Sequence, residues 1–203
     1  MTQIYLISPP KINSNFAADL NIALATNHIG LFQLRLKDYQ DDDAIKIGKE
    51  LLEICRKNQT PFILNDRLDL ALKIGADGVH IGSEDGDLEF IKNNAPKNFI
   101  VGVSCYDSRE LALNAAKNGV DYVSFGTFFP SKTKNSIGKP NPEILSWCKK
   151  TLNIKSVAIG GITPENSPKL VEAGADFLAV ISYIWENQAG IKQAIDNLHN
   201  SLS

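Results

Sequence analysis

Cysteine is scarce in this chain: three in 203 residues, at 55, 105 and 148, an odd number and widely spaced. That pattern suggests neither a disulfide framework nor a zinc knuckle, and buried free thiols are the expectation. No apolar run approaches the ~20 residues that a membrane-spanning helix needs. Neither sign of charge dominates. With 21 Lys+Arg against 23 Asp+Glu the net charge is −2, which argues against nucleic acid or an anionic membrane surface as the main partner. The chain opens on Met1-Thr-Gln-Ile-Tyr-Leu-Ile-Ser8 and passes straight into a strand-like run, with no basic region or cleavage site, so a cytoplasmic location is expected. No Ser–His–Asp set, no metal-binding His cluster and no isolated carboxylate pair for glycoside chemistry stands out. A G-x-G-x-x-G turn after an early strand is also missing, which weighs against an open doubly wound sheet.

What the chain does have is a repeated phrase. Lys73-Ile-Gly-Ala-Asp-Gly-Val-His-Ile-Gly82, Lys117-Asn-Gly-Val-Asp-Tyr-Val-Ser-Phe-Gly126 and Glu172-Ala-Gly-Ala-Asp-Phe-Leu-Ala-Val-Ile181 each read as a helix stopped by Gly, a tight turn carrying Asp, and a short apolar strand. Apolar runs recur at 4–8, 31–37, 61–65, 78–82, 99–104, 122–126, 156–161 and 177–182. Between them, helical periodicity covers 15–26, 42–58, 68–73, 88–94, 108–118, 142–150, 164–173 and 191–202. Asp107-Ser-Arg-Glu110 and Thr163-Pro-Glu-Asn166 resemble helix starts, the latter with Pro at the first helical position. With 43% hydrophobic residues there is ample core for one domain over 1–203. Eight alternations predict a single (β/α)8 TIM barrel, near the lower size limit for that α/β fold.

Chemistry in such folds collects where strands end and helices begin. In Phe32-Gln33-Leu34-Arg35-Leu36-Lys37 the polar residues share one face and the apolar residues the other. The apolar face must meet helices, so Gln33, Arg35 and Lys37 are expected to point inward. Two inward cations cost several kcal/mol each unless an anion meets them, so an anion site is expected there. Asn65-Asp66-Arg67 and Gly82-Ser-Glu-Asp85 end the next two strands. Asp66 and Asp85 near an anion site fit Mg²⁺ bridged to a polyphosphate, although each Asp taken alone could be a helix cap. The connection over 127–141 is far longer than a usual strand-to-helix loop, and its Ser131-Lys132-Thr133-Lys134 offers hydroxyls and ammonium groups, as a lid over phosphates would. Gly160-Gly161 before a helix, with Ile181-Ser182 ending the last strand, match the phosphate site that barrels build from their seventh and eighth loops. His80 and Ser104 lie between these two anion sites. His80 reads equally as a hydrogen-bonded interior residue and as a catalyst.

These motifs, together with Gly102-Val-Ser104, Phe125-Gly-Thr-Phe-Phe-Pro130, Ala158-Ile-Gly-Gly-Ile162 and Ala179-Val-Ile-Ser182, resemble thiamine phosphate synthase in order and across nearly the whole chain. The resemblance implies joining of hydroxymethylpyrimidine diphosphate to hydroxyethylthiazole phosphate, or its carboxylated form, with release of pyrophosphate. By the same resemblance Gln33, Arg35, Lys37, Asn65, Ser104 and Lys134 hold the pyrimidine diphosphate, and Arg35, Lys37, Lys134 and Ser104 form the catalytic group. Asp66 and Asp85 hold Mg²⁺. Ser131, Thr133, Gly160, Gly161, Ile181 and Ser182 receive the thiazole phosphate. Ser131 stands where the family usually has Thr, which keeps the hydroxyl. Ser8-Pro9-Pro10 replaces a more usual Thr-Asp, leaving the role of that strand end open. The rivals are a thiazole tautomerase on the same fold, a catalytically silent ligand-binding paralogue, and a sugar-phosphate isomerase. The first has no need of a diphosphate–metal site and would tend to carry His at Thr127; the last leaves the lid lysines and the carboxylate pair unexplained. No motif speaks to oligomeric state, and a homodimer stays open.

Overall fold

Side chains two apart on a strand share a face, and this chain uses both faces of every strand. The computed structural model describes residues 1–36, 39–82, 88–130 and 138–202. Its strands are β1 (Gln3–Ile7), β2 (Ile29–Leu34), β3 (Phe62–Asn65), β4 (Gly78–Gly82), β5 (Ile100–Tyr106), β6 (Tyr122–Phe125), β7 (Lys155–Ile159) and β8 (Phe177–Val180). They close in chain order into an all-parallel barrel, β8 pairing back onto β1. Around it among the described residues run α1 (Phe16–Leu24), α2 (Asp41–Lys57), α3 (Leu68–Ile74), α4 (Leu88–Asn94), α5 (Arg109–Lys117), α6 (Glu143–Thr151), α7 (Pro168–Glu172), α8 (Ser182–Trp185) and α9 (Ile191–Asn200). The (β/α)8 expectation holds.

Outward residues such as Ile4, Leu6, Phe32, Leu34, Val79, Val101 and Val123 pack with the buried faces of the helices into one large core. In α2 that face is Ala44, Gly48, Leu51, Leu52 and Cys55, the spacing of one helical stripe. Inward residues Tyr5, Ile7, Leu31, Ile63, Tyr122, Val157 and Ala179 fill the barrel itself as a second cluster. All three cysteines are buried and free, and burial pushes the Cys105 and Cys148 thiols up to about 12 and about 11.

The repeated phrase has a structural job. Gly75, Gly119 and Gly174 take the left-handed conformation past α3, α5 and α7, with φ of 82°, 69° and 94°. The Asp two residues on then clasps three strands at the bottom of the barrel. The carboxylates of Asp77, Asp121 and Asp176 accept the N–H of Phe62, Val101 and Ser156 at 2.8, 2.8 and 2.9 Å. Each Asp N–H also donates to the carbonyl of that same residue, at 2.9, 2.8 and 3.0 Å. Their own carbonyls accept from Ile100, Lys155 and Gln3 at the start of the following strand. The turn Asp is thus a staple between neighbouring strands, placed before β4, β6 and β8.

Several boundaries differ from expectation. Strand β2 ends at Leu34, before Arg35, and β7 ends at Ile159, before the two glycines. The helix expected over 164–173 begins only at Pro168, because Thr163–Ser167 forms turns in which the Asn166 side chain bonds the Thr163 N–H and the Gly161 carbonyl, both at 2.9 Å. The run 177–182 stops at Val180, and Ser182 opens the unforeseen short helix α8. Ser108 does cap α5, its hydroxyl accepting from the Leu111 N–H at 3.2 Å.

Candidate active site

The inward residues at the C-terminal ends of the strands line a cavity of about 600 Å³. Nine sequence-predicted residues meet there: Gln33, Arg35, Asn65, Asp66, Ser104, Gly160, Gly161, Ile181 and Ser182. Lys37, Asp85, Ser131, Thr133 and Lys134 lie outside the described residues. So does most of the expected lid, whose described stem is stitched to the end of β7 by Phe128 N–H to Ile159 O and Phe129 N–H to Gly160 O, both 3.1 Å.

One wall carries Arg35, Asn65 and Asp66. Arg35 is anchored through its backbone, since Ser8, almost fully buried after β1, accepts the Arg35 N–H on its hydroxyl at 2.9 Å. Ser8 in turn donates its N–H to the Gln33 carbonyl at 2.9 Å. That is the contribution of the strand-one end that the sequence left open. Asp66 has φ of 67° and donates its N–H to the His80 carbonyl at 2.7 Å, locking the chain between β3 and β4. It directly precedes Arg67, the cap position of α3. Arg67 points away and pairs with Asp41 and Asp69 at 3.0 and 2.7 Å, holding the start of α2 beside the start of α3. Its guanidinium keeps both carboxyls below their ordinary range.

The facing wall is backbone. Gly160 and Gly161 have φ of 107° and 61°, where a side chain is strained, and a Cβ on either would strike Thr127 or the Pro130 carbonyl. Their glycines let the backbone reach the cavity surface. Beside them Ser182 starts α8, whose first N–H groups have no helical acceptor. Trp185 fastens α8 to the barrel by donating Nε1–H to the Ile7 carbonyl at 2.7 Å. Thr127, Tyr106, Ser124 and Tyr183 also line the cavity.

Below both walls a chain of hydrogen bonds crosses the barrel. Gln33 Nε2 lies 2.8 Å from Tyr5 Oη, which lies 2.7 Å from Tyr122 Oη. His80 follows, with Nδ1 at 3.0 Å from Tyr122 Oη and Nε2 at 2.9 Å from Ser104 Oγ. Burial pushes both phenols far above their ordinary range, so they stay protonated. His80 is thus bonded through both ring nitrogens and touches a site residue, Ser104. Tyr5 and Tyr122 escaped sequence reasoning, for each reads as one apolar residue in a strand.

A parallel barrel with a guanidinium and carboxylate on one side of its mouth and a glycine-rich backbone turn on the other defines a phosphate-handling (β/α)8 enzyme. The comparisons are more particular. The family described as thiamine monophosphate synthase matches residues 4–184. A thiamine-phosphate synthase of Rhodospirillum centenum is 44% identical over 194 residues, 95% of this chain and 94% of the relative. That of Pelagibacter ubique is 43% identical over 91% of this chain and 89% of the relative. The solved thiamine phosphate pyrophosphorylase of Pyrococcus furiosus superposes with a TM-score of 0.85 at 33% identity, covering 98% of this chain and 95% of that one. The chain belongs to the thiamine monophosphate synthase family, and it is an enzyme with the activity for which that family is named.

Proposed function

We propose that the two walls divide the reaction between them. The pyrimidine diphosphate lies along Gln33, Arg35, Asn65 and Ser104, with Lys37 and Lys134, and the thiazole phosphate lies against Gly160, Gly161, Ile181 and Ser182, with Ser131 and Thr133. The observation that carries this reading is that the cation wall and the glycine backbone turn face one another across a single cavity. Arg35 offers a planar fork of N–H donors suited to phosphate oxygens, which stabilises the charge that grows on the departing pyrophosphate. As the bond from the pyrimidine methylene to the diphosphate oxygen breaks, the thiazole nitrogen bonds that carbon. Nothing in this exchange requires a protein nucleophile, and burial keeps the three thiols protonated.

The donors suit Mg²⁺. Asp66 and Asn65 supply hard oxygen atoms, and among the described residues no group of three His, Cys, Asp or Glu could hold a metal alone. Mg²⁺ commonly takes one or two carboxylates and completes its shell with substrate phosphate and water, so Asp66 with Asp85 would hold it beside the diphosphate. When bound it neutralises charge on the leaving pyrophosphate. We assign the work to the cytosol, which the buried, unpaired cysteines suit.

The test is incubation with both substrates and Mg²⁺, followed by mass spectrometry for thiamine phosphate. Product that is lost with EDTA and with Asp66→Asn is expected. EDTA-insensitive product would refute the metal assignment, and binding of both substrates without product would refute the division of labour.

A further inference from the structure

The orientation assigned to the Gln33 amide gives the relay beneath the cavity a direction. Gln33 donates Nε2–H to Tyr5 Oη, so the Tyr5 proton goes to Tyr122 Oη, and the Tyr122 proton goes to His80 Nδ1. Nδ1 is then the acceptor nitrogen, and Nε2 carries the hydrogen that it donates to Ser104 Oγ. Ser124 Oγ, at 3.5 Å, points its hydrogen to the same Ser104 oxygen. Both ends of the relay line the cavity. At one end the Gln33 amide has its nitrogen engaged, which leaves Oε1 to accept. At the other, Ser104 Oγ receives hydrogen bonds, which leaves its own hydrogen to give.

We infer that Tyr5, Tyr122 and His80 are positioning residues that set the substrate's hydrogen-bonding pattern, making Gln33 an acceptor and Ser104 a donor so that the cavity selects a heterocycle with an amino group for the first and a bare ring nitrogen for the second. This rests on the pyrimidine reading above and adds its selectivity. Along these bonds each inner member gives one hydrogen and receives one, so reversing one of them disturbs its neighbours. An oxo-pyrimidine presents a carbonyl and a ring N–H, the opposite pattern. To accept it the Gln33 amide must turn over, both phenols must rotate and His80 must change tautomer. The linkage is rigidly housed. Tyr5 and Tyr122 are fully buried and meet edge to face, His80 stacks on Tyr122, and a Cβ on Gly102 would fall inside the Tyr122 ring. Among the described residues no buried side-chain nitrogen or oxygen lacks a partner, so a broken link leaves an unsatisfied group.

The experiment measures calorimetric affinities of wild type, Tyr122→Phe and Tyr5→Phe for hydroxymethylpyrimidine diphosphate, its oxo counterpart, and Mg²⁺-pyrophosphate. Wild type should prefer the amino compound by about 10⁴-fold, as sites built on buried polar pairs do. Either Phe variant frees the two ends from each other and should cut that preference by about tenfold, the worth of roughly one buried hydrogen bond. Pyrophosphate affinity should stay unchanged, which separates this effect from a damaged fold. If the preference survives in both variants, or pyrophosphate affinity falls in step with it, the relay is refuted. If wild type binds pyrophosphate but neither pyrimidine, the substrate reading fails, and the relay's pairing with an aminopyrimidine fails with it. Nitrogen NMR of His80 gives a second reading: Nδ1 unprotonated with the amino compound bound supports the direction, and Nδ1 protonated overturns it.

Discussion

Asp121→Ala should separate stability from activity. The Asp121 carboxylate accepts the N–H of Val101, a residue with no exposed surface, at 2.8 Å, and it sits at the barrel end remote from the cavity. A hydrogen bond to a charged group contributes about 1.5–3 kcal/mol, and its loss strands a buried N–H. Lys92, 3.7 Å from Asp121 and with both partners substantially exposed, adds less than about 1 kcal/mol. The backbone bonds of Asp121 to Val101 and Lys155 survive the substitution. The expected loss is therefore about 2–3 kcal/mol, or roughly 5–10 °C of Tm for a chain of this length. Urea unfolding should show a lower midpoint with the same slope. Asp121→Asn keeps an acceptor oxygen and should cost about half as much, roughly 1 kcal/mol. Turnover at 25 °C should match wild type in both. If Asn costs as much as Ala, the hydrogen bond is not the cause; if turnover falls while the protein stays folded, the staple reaches the active site and the separation is wrong.

Ser8→Ala removes the acceptor of the Arg35 N–H, and KM for the pyrimidine diphosphate should rise several-fold while KM for the thiazole phosphate holds; parallel rises would count against it. Gly161→Ala forces a side chain to positive φ against the Pro130 carbonyl, so KM for the thiazole phosphate should rise about tenfold or more, and an unchanged value would remove the backbone turn from that subsite. His28 stacks on His199 at 3.7 Å and its pKa is lowered, first by burial and then by His199. The unfolded chain thus binds more protons in the window between the ordinary His value of about 6.5 and the lower folded one. Stability contributed by the neutral ring is complete above that window and is lost as pH falls through it. In His28→Gln, Tm should vary less across this window; an unaltered slope would assign the acid sensitivity elsewhere.

The alternation of strands and helices was legible because its signals are local: side-chain period along β2, Gly at the left-handed turns, and Ser108 at a helix start. The site wall was legible in part: the period along β2 turned Gln33 and, just past the strand end, Arg35 toward the cavity, while the end of β2 at Leu34 was not foreseen. The repeated Asp was visible as a pattern, but its acceptor role was not, for its partners lie 15 or 20 residues away on the preceding strand. Helix α8 was hidden for the same reason. Its residues continue an apolar run, and what ties them down is a bond from Trp185 to Ile7, 178 positions apart. The partners of His80 were equally hidden, because Tyr122 and Ser104 lie on the next two strands. Sequence alone determined which way each side chain faces on its strand and where the chain turns, since both follow from backbone period and local conformational preference. Only closure of the barrel decided which inward groups meet, because pairing across the lumen depends on strand order and register, and that pairing turns separate polar residues into one connected site.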